Sequence, residues 1–245
     1  MRPFEESSAH DKSDNDVRAV GLEYFFPQLT PDQLTNLEKS LINLEYKDGD
    51  LIFKAGSFAD GLYLVLGGFL SHQRSCQQNE KKTRTFRILG PGDVFGLEIF
   101  SPATPPRRLA SVTTIEESRL GLLGKRELTT FLQQNPRGFG DLLAKILEHT
   151  QLLQRRMLTS TCKTIAERIW SLFVELASRY GWKENGKLHL PQILKQSDIA
   201  QLLGVSSESV SNNIRLLEGQ GRISKCEDVL TLHSSETRTV QSKGG

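Results

Sequence analysis

Cysteine is scarce and scattered. The 245 residues hold three, Cys76, Cys162 and Cys226, and none belongs to a CxxC pair. That excludes a disulfide scaffold and a zinc-ribbon site, and the odd count suits a reducing compartment. Long apolar runs are missing as well. No stretch reaches about 18 apolar residues, so no membrane span is expected. The opening MRPFEESSAHDKSDND is polar and acidic, unlike a secretion signal, so a cytoplasmic protein is expected. Charge of one sign is not in excess either. Lys plus Arg number 31 against 29 Asp plus Glu, a net +2, which points to no polyelectrolyte function. Enzyme signatures are lacking: no GxxxxGK[ST], no HExxH, and no Ser-His-Asp or Cys-His set stands out. No catalytic residues and no metal site are therefore expected. What is present is 37% hydrophobic residues, enough for a packed core.

The texture changes along the chain. Residues 1–21 and 234–245 are polar and read as disordered tails. Apolar side chains begin at Leu22, and Thr30-Pro31 reads as an N-cap followed by the first helical residue. From Tyr46 to Gly124, short apolar runs alternate with glycine turns such as Asp60-Gly61, Gly67-Gly68 and Gly90-Pro91-Gly92-Asp93. The runs LIF (51–53), LYLVL (62–66), FLSH (69–72), TRTFRIL (83–89), LASVTTI (109–115) and RLGLL (119–123) predict an all-β sandwich or barrel. Residues 125–134 predict a short helix, and a long one follows from Arg137 to Leu158. On it, Phe139, Leu143, Ile146, Thr150, Leu153 and Met157 step by 4, 3, 4, 3, 4, the spacing of a two-stranded seam. Leu142, Leu147 and Leu152 lie off that seam and are expected against the β unit. Ile165, Ile169, Leu172, Phe173 and Leu176 mark another helix ending at Tyr180-Gly181. Residues 182–194 read as a loop with a short strand at KLHL (187–190).

The sharpest local signal is QSDIAQLLGVSSESVSNNIRLLEGQ (196–220). Ile199, Leu202 and Leu203 form one inner face, Gly204 suits a left-handed turn, and Ser206 can cap a second helix carrying Val210, Ile214 and Leu217. This is helix-turn-helix spacing. Ser207, Glu208, Ser211, Asn212 and Arg215 then face outward, where such side chains can reach base edges. Gln196 and Ser206 start the two helices. The segment 221–232 predicts a hairpin wing with Lys225 near a phosphate. From 196 to 225, three cations (Arg215, Arg222, Lys225) meet three anions (Asp198, Glu208, Glu218). Phosphate binding therefore needs help from Lys195, Lys163, Arg168 or helix N-termini.

Four stretches in order carry a wider likeness: GDLIFKAG (49–56) with DGLYLVLGG (60–68), GPGDVFG (90–96), RLASV (108–112), and 197–223 with its helix-turn-helix. With the long helix between them, they make the chain resemble the cyclic AMP receptor protein/fumarate-nitrate regulator (Crp-Fnr) family of bacterial transcription factors. The resemblance implies an α+β chain: a cyclic-nucleotide-binding-like β-roll (22–135), a dimerisation helix (136–160) and a winged-helix DNA-binding domain (161–233). It implies a homodimer on a two-fold symmetric operator, working with RNA polymerase. The dimer contact falls to Leu143, Ile146, Thr150, Leu153 and Met157.

In relatives that bind cyclic AMP, a Glu holds the ribose and an Arg the cyclic phosphate. The matching positions here are Glu98 and Arg108, beside Gly96, Arg107 and Leu109. Leu109 replaces the small hydroxyl residue, Leu97 replaces a glycine, and Leu153-Gln154 replaces the Thr-Ser pair that meets the base. These departures count against cyclic AMP and leave open a structural ion pair, another small anionic effector, or none. No iron–sulfur ligand set is evident, since residues 1–45 hold no cysteine. His72, Cys76 and His149 form no evident haem ligand set, and Cys162 near the hinge is a candidate redox position. The competing reading is a nucleotide-sensing module that acts on a protein partner without touching DNA.

Overall fold

The computed structural model describes residues 19–76 and 79–233. The expected tails therefore lie almost wholly outside the described residues, as do the side chains of Cys76 and Cys162; Cys226 is a free, exposed thiol.

Two short helices open the chain, α1 (Leu22–Phe25) and α2 (Pro31–Glu38). Thr30 caps α2 as the sequence predicts: its hydroxyl accepts from the Gln33 N–H, and the Gln33 side chain accepts from the Thr30 N–H. Then come β1 (Ile42–Tyr46), β2 (Leu51–Phe53), β3 (Gly61–Gly67), β4 (Leu70–Cys76), β5 (Asn79–Leu89), β6 (Val94–Phe95), a 3-10 turn (Leu97–Phe100), β7 (Ser111–Thr114) and β8 (Ser118–Gly124). They form two antiparallel sheets, ordered β1-β8-β3-β6 and β2-β7-β4-β5. Strand β3 is apolar on both faces because it serves two cores. Leu62 and Leu64 pack with Phe25, Leu37 and Phe131 of the helices and with Phe26 just after α1, while Tyr63 and Val65 pack inside the roll with Leu70, Phe95, Val112 and Leu120.

The helices α3 (Lys125–Gln134) and α4 (Pro136–Cys162) follow, with Pro136 at the first turn of α4. Leu142 of α4 is buried, and Ile146 packs partly against the same cluster. Leu147, expected on the β unit, is instead 53% exposed. It shares the outer face of α4 with the exposed Phe139 and Leu143. The expected seam positions are not equally exposed. Leu143, Thr150 and Met157 are exposed, whereas Ile146 and Leu153 are half-covered by their own chain.

The C-terminal unit consists of α5 (Ile165–Tyr180), β9 (Trp182–Glu184), β10 (Lys187–Pro191), α6 (Gln196–Leu203), α7 (Ser207–Gly219), β11 (Ile223–Cys226) and β12 (Val229–Leu232), with sheet order β11-β12-β10-β9. The expected loop at 182–186 is a hairpin. Asn185 and Gly186 both take positive φ, the geometry of a tight strand-joining turn. The core of this unit includes Phe69 and Ile88 from the β-roll, packed with Ile169, Phe173, Leu176 and Ile199. The winged helix is therefore seated on the roll.

Candidate DNA interface and effector site

Helix α6 ends on Gly204 at φ 68° and ψ 36°, the left-handed geometry expected of a glycine there. Ser206 then caps α7: its hydroxyl accepts from the Ser209 N–H at 3.1 Å and meets Ser209 Oγ at 3.0 Å. Ser206 thus starts the helix, and its oxygen is engaged within the chain. Val210 and Leu217 are fully buried, which fixes the opposite face outward. On that face Ser207, Glu208, Asn212 and Arg215 are exposed, and Ser211 is half-buried. Gln196, Ser211, Arg215 and Lys225 come together around one cleft of about 240 Å³, whose apolar wall includes Phe173, Ile199 and Ile214.

Two of the cations near this surface are engaged elsewhere. The Arg168 guanidinium, one of the cations offered to phosphate by the sequence, donates to the Leu203 carbonyl at the end of α6. Arg222 lies over the Trp170 ring at 4.2 Å. Lys195 is exposed at the start of α6, and exposed Lys163 donates to Ser171 Oγ at 2.9 Å.

Side chains that the sequence marks only as turn, strand or helix residues join the winged helix to the roll. Asp93 is buried and accepts from Gly90 N at 3.0 Å, Arg87 Nη2 at 3.2 Å, Tyr180 Oη at 2.6 Å, and Arg179. Burial alone would push its carboxyl up; Arg87 and Arg179, with the Tyr180 and Gly90 hydrogen bonds, hold it below the usual carboxylate range. Arg156 on α4 grips both Glu175 oxygens, at 3.0 and 2.5 Å, and donates to the Phe86 carbonyl at 2.9 Å. A polar chain runs from Ser71 Oγ to Thr85 Oγ1 at 3.0 Å and on to Gln201 Oε1 of α6 at 2.9 Å.

His72 and His149, weighed as haem ligands, sit on β4 and α4. The His72 ring lies 4.4 Å from that of Phe86, and among the described residues neither of its nitrogens has a hydrogen-bond partner. Burial, with Arg87 and His149 nearby, pushes it down to about 3 from its ordinary 6.5; burial and Arg87 push His149 to about 4. Both rings are neutral in the fold. Below pH 6.5 the unfolded chain binds more protons than the folded one, so stability falls as pH drops, by up to about 1.4 kcal/mol per pH unit for His72. Urea unfolding at about pH 7 and pH 5 measures this loss. His149 carries a like share over this range, so His72→Phe is expected to remove about half of the loss; an unchanged slope would show that other groups carry it.

The β-roll brings Gly96, Glu98, Arg108 and Leu109 together, and adds Asp60. The Arg108 side chain is wholly buried. Its Nη2 donates to Asp60 Oδ1 at 2.5 Å and to the Gly61 carbonyl at 2.9 Å, and its Nη1 to Glu98 Oε2 at 3.3 Å. Glu98 Oε1 accepts from the Leu109 N–H at 3.3 Å. The guanidinium lies 4.2 Å from the Phe53 ring centre and 5.3 Å from that of Tyr63. Gly96 has φ 88°, and a Cβ there would come within 2.6 Å of Arg108 Nη1. Arg107, grouped with Arg108 by sequence, is separately engaged: it is exposed and donates to the Gly56 carbonyl at 2.8 Å.

Residues 43–135 match the family profile of the cyclic nucleotide-binding domain, and residues 167–236 that of the Crp-like helix-turn-helix domain. The chain belongs to the Crp-Fnr family. It is a dimeric, sequence-specific DNA-binding transcription regulator of that type. It is 28% identical over 187 residues to the CRP-like cAMP-activated global transcriptional regulator of Mycobacterium tuberculosis, covering 76% of this chain and 81% of that one. It is 28% identical over 176 residues to the nitrogen fixation regulation protein FixK of Azorhizobium caulinodans, covering 71% and 67%. The fold matches that of FixK2 from Bradyrhizobium japonicum with a TM-score of 0.68 at 20% identity, over 79% of this chain and 93% of that one. The Crp-Fnr regulators are a non-catalytic class of DNA-binding proteins. Among the described residues, no helix is long and apolar enough to cross a membrane.

Proposed function

We propose that the regulator reads a two-fold symmetric operator with α7, one recognition helix per protomer in successive turns of the major groove. The observation that carries this reading is the exposed row Ser207, Glu208, Asn212 and Arg215, opposite the buried Val210 and Leu217. Asn212 suits an adenine edge and Glu208 a cytosine amino group, with Ser207 and Ser211 as adaptable partners. Gln196, Arg215 and Lys225 take phosphate positions, and Ser206 contributes by orienting the helix. The working division is an effector domain at 22–135, a dimerisation helix at 136–160 and a DNA-binding domain at 161–233. The two protomers join along α4, with Leu143, Thr150 and Met157 in the contact and Ile146 and Leu153 at its inner edge. A protein of this kind acts in the cytoplasm beside RNA polymerase.

Few cations face the DNA, so the salt dependence of binding should be shallow, about 0.9 log units per log salt for each phosphate contacted. Selection from a random duplex pool supplies the operator. Anisotropy titrations then compare variants on it. Asn212→Ala or Glu208→Ala is expected to lose about 1–3 kcal/mol on the selected site and to relax preference at particular bases. Lys225→Ala is expected to weaken all sequences alike. An Asn212 variant that loses equally on every duplex would overturn the base-reading role.

A further inference from the structure

We propose that Asp60 is a built-in anion for Arg108, which closes the β-roll to cyclic nucleotides and leaves the regulator able to bind its operator without one. The second half rests on the DNA-binding reading above; the first does not. Three observations support the closure.

The first is charge. Arg108 brings one positive charge, and Asp60 and Glu98 bring two negative ones, at 2.5 and 3.3 Å. The cluster is net negative before any ligand arrives. A cyclic phosphate would add a further negative charge in a water-poor site, where repulsion is strong.

The second is hydrogen bonding. Asp60 and the Gly61 carbonyl use Nη2, Glu98 uses Nη1, and the Leu109 N–H uses the other Glu98 oxygen. Arg108 Nε has no acceptor among the described residues, but it is buried out of reach of solvent. Phe53 and Tyr63 lie against the guanidinium, and Gly96 brings backbone close to Nη1. An external anion also finds no hydroxyl at position 109, where Leu109 is 64% exposed.

The third is access. Of the two carboxylates, Asp60 is the one at the surface: its side chain is 54% exposed, against 13% for Glu98. A ligand approaching from solvent therefore meets Asp60 first and must displace its 2.5 Å contact. Asp60 is held in place by β3, which starts at the next residue, and its carboxylate also receives the Tyr63 hydroxyl at 3.3 Å.

The test uses the full-length chain, with cyclic AMP and cyclic GMP as probes. Calorimetry on the unsubstituted protein is expected to give no binding heat at millimolar nucleotide, and its operator affinity is expected to change less than about twofold on adding either one. Asp60→Asn, with Asp60→Ser as a second variant, is expected to open the site. At least one nucleotide should then bind about tenfold or more tightly than the unsubstituted protein's limit, and Arg108→Ala added to the variant should abolish that gain. Micromolar binding by the unsubstituted protein would overturn the proposal. So would operator binding that appears only with a nucleotide, which leaves the DNA-binding reading intact. So would folded Asp60 variants that gain nothing. If both variants misfold, the unsubstituted protein's calorimetry alone decides between closure and an open site. A chain that binds no duplex under any condition would sink the DNA-binding reading instead, and the calorimetry would still decide the closure.

Discussion

Replacing Asp93 by alanine is expected to destabilise the protein by about 3–5 kcal/mol, the scale for removing one partner of a buried ion pair. The loss falls on what is left behind. Arg87 is buried, and burial already pushes its guanidinium down; Asp93 is its one acid partner among the described residues. Without the carboxylate, Arg87 and Arg179 face each other, and the Tyr180 hydroxyl loses its acceptor. Arg87 and Asp93 belong to the roll while Arg179 and Tyr180 belong to α5, so the same substitution cuts the tie between the domains. Links that remain among the described residues include Arg156 with Glu175, Thr85 with Gln201, the packing of Ile88, and the Phe69–Tyr180 ring contact at 5.1 Å. Scanning calorimetry is therefore expected to show one transition for the unsubstituted protein and two for Asp93→Ala. Asp93→Asn keeps an acceptor for Gly90 and Tyr180 but removes the charge, which separates the two contributions. A loss under about 1 kcal/mol with a single transition would mean that the apolar contact of Phe69 and Ile88 holds the domains by itself. The sign with pH follows from the depressed carboxyl: the stabilisation is present at neutral pH and is lost as pH falls through the folded value.

Features set by a few neighbouring residues were legible in the sequence. Thr30 and Ser206 cap their helices, and Gly204 turns between α6 and α7, because capping and left-handed turns are decided within four or five positions. The apolar run of β3 was legible too, since a strand buried on both faces needs no alternation. Strand β1 was missed: INLEY is mostly exposed, and its partner β8 lies more than seventy residues away. The β9–β10 hairpin carried an Asn-Gly signal at 185–186 that the loop reading passed over. The largest gap concerns charges. Asp60 and Asp93 read as turn residues because they sit in Asp-Gly and Gly-Asp turns. Their partners lie 48 and 86 residues further along, which local pattern cannot supply. Arg168 is one of several cations the sequence offers to phosphate, and nothing near it announces the Leu203 carbonyl 35 residues on.

Helix α4 divides its apolar side chains between a covered and an outward face, and the second large effect follows from it. On the dimer reading proposed above, the helix has two neighbours, its own β-roll and the partner protomer. The apolar positions of 139–147 divide between them: Leu142 and Ile146 turn to the roll, while Phe139, Leu143 and Leu147 stay outside at 57%, 45% and 53% exposure. A parallel two-fold pairing brings each outer residue near its own copy. Leu143→Asp therefore sets two carboxylates against each other in an apolar contact, where neither has a counterion. The variant is expected to stay folded and sediment as a monomer. Operator affinity is then expected to fall by about 10²–10⁴, because each half-site must be bound without the effective concentration that linkage provides. Leu147→Asp should act in the same way, although the predicted seam left it out. Ile146→Asp should act differently, lowering the unfolding midpoint of the protein before it changes its mass. If Leu147→Asp leaves the dimer intact and Ile146→Asp dissociates a stable fold, the seam has the register first read from the spacing, and the helix turns the other face to its partner.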